Sequence, residues 1–111
     1  MPVVDTEYLL ETFDAETRAE LLGMFKAQLE TKFRFTETDD RKAMFFASHE
    51  LKGTAGTVGC IALQQAASDL CEKLRDDGDA DVSAEVVAHL LVERGRVLQY
   101  LSRVPLSRPA P

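Results

Sequence analysis

The placement of glycine and proline constrains this chain more than any other feature of its sequence. Proline occurs only at position 2 and beyond position 104, and three of the six glycines crowd between Gly53 and Gly59. The long stretches in between hold no proline and carry no strand signal, so the chain is predicted to be all-α. Five helices are expected. The first covers about Thr6 to Thr12, and Asp14 then reads as an N-cap with acidic Glu16 in the turn that follows. The second runs from about Ala15 to Thr36, with Leu22, Phe25, Leu29 and Phe33 recurring at three- and four-residue steps as one apolar stripe. The third, from about Asp40 to Val58, puts Met44, Ser48, Leu51, Ala55 and Val58 on one face. The fourth begins near Cys60 and carries Leu63, Ala67, Leu70 and Leu74 to a stop at Asp77-Gly78. The last, from about Ser83 to Arg103, carries Val87, Leu90, Leu91, Val97, Leu98 and Leu101.

Between the third and fourth helices the break at Gly59 is too short for anything but antiparallel packing. Four amphipathic helices with short connections predict an antiparallel up-and-down four-helix bundle, with the short additional N-terminal helix as a lid on one end. A chain of 111 residues suffices for one such core and not for two. Residues 1–104 are therefore expected to form a single domain. Residues 105–111, with three prolines and little apolar surface, are expected to be a flexible tail.

Charge narrows the function. With 13 Lys and Arg against 19 Asp and Glu the formal charge is −6, and no basic stripe appears, which argues against nucleic acid as the partner. Apolar runs such as Leu90-Leu91-Val92 fall far short of the roughly 20 residues a membrane span needs. The N-terminus lacks the pattern of a secretory signal, so the expected compartment is the cytoplasm. Cys60 and Cys71, without a CxxC or Cys/His companion, read as reduced packing residues.

The informative segment runs from His49 to Gly59. At 100° per residue, His49, Lys52, Gly53 and Gly56 lie opposite the Leu51, Ala55 and Val58 stripe, so the imidazole is expected to face solvent. A glycine inside a helix costs about 1 kcal/mol relative to alanine. Gly53, one turn past the histidine, admits two readings, the close approach of a partner that compensates this cost or an incidental surface glycine. Gly56 admits two readings, partner approach or tight packing on the fourth helix, and Gly59 reads as a helix terminator. His49 has no recognisable triad partner and no H-E-x-x-H spacing, so no metal site is expected. What it has is Lys52, an ammonium one turn away that would partly neutralise a phosphoryl group attached to the imidazole. Phe45 and Phe46 supply more apolar area than the core stripe can use, and at least one is expected to be exposed as a partner's anchor. His89, between Val87 and Leu90, has no such surroundings.

The run His49-x-Leu51-Lys52-Gly53-x-Ala55-Gly56-x-Val58-Gly59, with Leu63 and Leu70 beyond it, resembles the signature of histidine-containing phosphotransfer (HPt) domains of phosphorelays. That resemblance implies that His49 accepts a phosphoryl group on Nε2 from the aspartyl phosphate of one receiver domain and passes it to the aspartate of another. It implies that Lys52 contacts the phosphate, that the receiver docks over Gly53, and that the magnesium used belongs to the receiver. The chain itself would be a carrier without cofactor or nucleotide site, and a monomer. Two positions depart from the pattern. Ser48 stands where alanine is usual, and its hydroxyl can bond back to the backbone. Cys71 stands where many relatives carry Glu or Gln to hold Nδ1, which leaves Gln64, Ser68 and Cys71 as candidates for orienting the ring. Two other readings remain: an adaptor bundle that binds a receiver or partner helix without phosphate, and the phosphoacceptor domain of a chemotaxis-type histidine kinase. The absence of Glu at position 71 counts against the second.

Overall fold

A computed structural model describes residues 3–35, 40–76 and 84–103. They form five helices in the order α1 (Thr6–Thr12), α2 (Ala15–Thr31), α3 (Arg41–Thr57), α4 (Ile61–Asp76) and α5 (Ala84–Leu101), with no strand among the described residues. Aspartates begin three of them. Asp5, Asp14 and Asp40 each accept the amide of the residue three positions on, Tyr8 at 3.0 Å, Thr17 at 2.8 Å and Ala43 at 2.7 Å. At Asp14 the hydrogen bonds from Thr17, aided by Arg18, hold the carboxyl below its usual pKa. The expected stop of α4 at Asp77-Gly78, the Ser83 start of α5 and the tail beyond 104 lie outside the described residues.

The helix α2 ends five residues earlier than its apolar stripe predicts. Leu22, Phe25, Leu29 and Phe33 are all buried, but the helix stops at Thr31 and Phe33 reaches the core from beyond it. Arg94 of α5 explains the stop. Its guanidinium donates to the Leu29 carbonyl (2.7 and 3.1 Å) and to the Phe33 carbonyl (2.9 Å), occupying acceptors at the helix end from another element. Burial, then the nearby Arg34, lowers the Arg94 pKa, with Glu30 opposing. Phe35, at φ 51°, then turns the chain into a left-handed conformation no helix continues.

The turn between α3 and α4 follows from one glycine. Gly59 adopts φ 77°, its amide donates to Gly56 (3.2 Å), and the Cys60 amide donates to Ala55 (2.8 Å), which together make a Schellman motif. A side chain at Gly59 would also meet Tyr8, whose Cδ2 lies 3.0 Å from where its Cβ would stand. Past this turn α4 runs back along α3. Gln64 lies against Gly56 near the turn, and Arg41 donates to the Leu74 carbonyl (2.8 Å) at the far end, so the two helices are antiparallel in register. The α1 segment closes on the same turn, through Asp5 N–H to the Gly59 carbonyl (2.8 Å) and the Tyr8 hydroxyl to the Thr57 carbonyl (2.9 Å).

The core collects Leu51, Ala55 and Val58 from α3, Leu63, Ala67 and Leu70 from α4, and Leu90, Val97 and Leu101 from α5, as their spacing predicts. Leu91 departs from expectation. It remains 37% exposed because it is turned 100° from Leu90, whose row through Val97 and Leu101 takes the buried side. That row is interrupted by Glu93, buried with Arg96 at 3.4 Å as its partner.

Candidate functional site

On α3 the buried positions Ser48, Leu51 and Ala55 fix which way the helix faces, and His49 falls on the exposed side with Lys52 and Gly53. The Ser48 hydroxyl bonds back to the Phe45 carbonyl (3.0 Å), so this polar group at a fully buried position is satisfied within its own helix. Gly53, one turn beyond the histidine, is open: a Cβ built there meets nothing within 4 Å. Gly56 is different. The Gln64 side chain crosses it from α4, its Cδ 3.1 Å from where a Cβ on Gly56 would stand, which favours the packing reading of this glycine.

The aromatic pair divides as expected. Phe46 is 58% exposed, while Phe45 is half-buried against the core. Their rings meet edge-on at 5.8 Å and 71°. Phe45 also faces the imidazole of His49, ring centroids 6.3 Å apart and planes 13° from parallel. Of the three side chains expected to orient the ring, Cys71 is buried and Gln64 and Ser68 are half-buried on α4. Counting seven residues from the Gly56 and Gln64 contact along both antiparallel helices brings Cys71 to the level of His49. Among the described residues no hydrogen bond joins the imidazole to any of the three. The other thiol, Cys60, is buried at the turn, and burial pushes its pKa up to about 12.

Beside this face Glu50 of α3 pairs with Lys32 at the end of α2, both half-exposed, a pair screened by water and worth little to stability. Met24, two turns before Lys32 on α2, is 57% exposed, and Leu10 on α1 is exposed as well. Sequence reading missed both. The available signal was their position beside core residues, Leu9 and Phe25, where a helix turns the neighbour out of the core. Among the described residues no cluster of His, Cys, Asp or Glu could hold a metal, and no helix is long and apolar enough to cross a membrane.

An exposed histidine with an ammonium one turn on and an open glycine beside it suits a carrier of phosphoryl groups that meets another protein. Comparison with known families agrees. The family model of the Hpt domain matches residues 9–104, and the chain belongs to that family, the phosphocarrier modules of two-component signalling. No curated protein and no solved structure matches the chain.

Proposed function

We propose that this chain carries a phosphoryl group on His49 between two receiver domains of a phosphorelay. The observation that supports this reading is the pairing of an exposed His49 with open backbone at Gly53, since a receiver must bring its aspartate close to the imidazole. In the forward step the Nε2 lone pair forms the N–P bond as the P–O bond to the receiver's aspartate breaks. The aspartate leaves as a carboxylate and Nδ1 keeps its proton; the onward step reverses this toward a second aspartate. Lys52 offsets part of the phosphate's charge from one turn away. The magnesium that the transfer uses belongs to the receiver's acidic pocket.

The proposal extends to the docking surface, the bundle and the setting of the chain. Phe46, two turns before Gly53 on the same face of α3, offers an apolar anchor for docking, and Gly56 is covered by Gln64. Cys71 stands on α4 at the level of His49. The four long helices form an up-and-down bundle that holds this face rigid, and the carrier acts as a monomer in the cytoplasm. Incubation with phosphorylated receiver domains tests the proposal. A labelled product that is acid-labile and base-stable is expected, and its persistence in His49→Gln would assign the phosphate elsewhere.

A further inference from the structure

An exposed histidine on a helix ordinarily spreads its ring over several orientations. Two favoured χ1 wells and a two-fold χ2 leave about four. Transfer needs one of them, with the attacking nitrogen in line with the bond that breaks. Here the residue at the level of His49 on α4 is Cys71, a buried thiol and a weak hydrogen-bonding group, and among the described residues no hydrogen bond reaches the imidazole.

What does reach it is Phe45. The two rings lie nearly parallel, at a separation within the range of offset-stacked aromatic pairs. Phe45 is itself restrained, half-buried against the core and in edge-type contact with the ring of Phe46. The imidazole therefore rests on a fixed surface that limits its plane and occupies neither nitrogen. Residues four apart on a helix are neighbours, so this contact needs no other element to form.

We infer that Phe45 is a positioning residue for phosphotransfer, holding the plane of the His49 imidazole by stacking where α4 offers no hydrogen bond. The inference rests on the carrier function proposed above. It separates the two aromatics: Phe46 is exposed to a partner, and Phe45 acts through the histidine. A stack of this kind multiplies the population of the selected orientation about two- to tenfold.

The first test uses the unmodified protein and the ring-proton signals of its two histidines in heteronuclear NMR. His89 is exposed on α5 and serves as the unstacked reference. The ring current of Phe45 should place the His49 signals upfield of those of His89; coincident signals would overturn the inference without any variant. The second uses Phe45→Leu and Phe45→Tyr in single-turnover transfer from the acetyl-phosphate-labelled receiver domain that serves the unmodified chain fastest. Phe45→Leu should move the His49 signals toward the reference and lower the saturated rate about two- to tenfold, leaving the half-saturating receiver concentration unchanged. Phe45→Tyr should restore both. A higher half-saturating concentration at an unchanged saturated rate would make Phe45 a docking residue and refute positioning, as would signals that move in Cys71→Ala and not in Phe45→Leu. If the unmodified chain accepts no phosphate, the carrier function falls, while the ring signals still decide the stack.

Discussion

Replacing Gly53 with alanine should make the free protein more stable and its complex with a receiver weaker. Gly53 lies inside α3, twelve residues after Arg41 and four before Thr57, where glycine is less favourable than alanine by about 0.8 to 1.0 kcal/mol. Nothing in the structure offsets that gain, since a Cβ at this position meets no atom within 4 Å and the position is exposed. The Gly53 carbonyl keeps its bond from the Thr57 hydroxyl (3.1 Å), which a methyl group does not touch. For a domain of this size the gain corresponds to a rise in melting temperature of roughly 3 to 6 °C. Far-UV circular dichroism during thermal unfolding, with urea titration to check that the m-value is unchanged, measures it. Gly53→Gln adds the steric part, because a long side chain projects into the partner's path. Its dissociation constant for a receiver should rise about tenfold, roughly 1.4 kcal/mol, in calorimetric titration. A melting temperature that falls or stays fixed in Gly53→Ala would show that the space is not open. Unchanged affinity and transfer in a folded Gly53→Gln would remove the steric reason for placing a partner here.

His49→Gln should abolish phosphate acceptance while shifting stability by no more than about 0.5 kcal/mol, since the side chain is exposed; phosphotransfer and urea midpoints together check this. Lys52→Ala should slow transfer without abolishing it, the exposed ammonium being partly screened, and kinetics identical to the unmodified protein at low salt would exclude charge compensation. Gly59→Ala should destabilise by about 1 to 2 kcal/mol or more, because φ 77° disfavours a side chain and Tyr8 occupies its place, as chemical denaturation would read out. Burial keeps the Cys60 thiol protonated to about 12, whereas the unfolded thiol ionises near 9.0. Its contribution is therefore complete below about pH 9 and is lost as pH rises toward 12; urea midpoints at about pH 8 and about pH 10.5 should diverge less in Cys60→Ala.

The helices were legible where a local rule decides them. Asp14 and Gly59 carry their roles in residue type, an aspartate that caps and a glycine that takes positive φ, and the structure uses both so. The direction of His49 was legible too, because Ser48, Leu51 and Ala55 leave a helix one way to face. What could not be read were effects between elements distant in sequence. The end of α2 at Thr31 depends on Arg94, more than sixty residues away along the chain, and no pattern within α2 announces it. The filling of Gly56 by Gln64 needed the register of α3 on α4, and the stack of Phe45 on His49 needed rotamers, which periodicity does not specify. Phe46 and Met24 illustrate the intermediate case. Sequence shows more apolar side chains than the stripes can bury, and only packing decides which are left outside.

The closure of α1 on the Gly59 turn has a consequence for the order in which the chain assembles. The turn itself joins residues five apart and needs no distant partner, so α3 and α4 can pair early, at the small entropy of a short loop. Tyr8 and Asp5, by contrast, bind carbonyls at positions 57 and 59, which do not exist as a fixed pair until that turn has formed. The N-terminal segment must therefore attach late and detach first. In native-state hydrogen exchange the Asp5 amide should open at a lower free energy than the Cys60 amide of the turn it fastens to, so that α1 behaves as a latch whose release leaves the His49 helix intact.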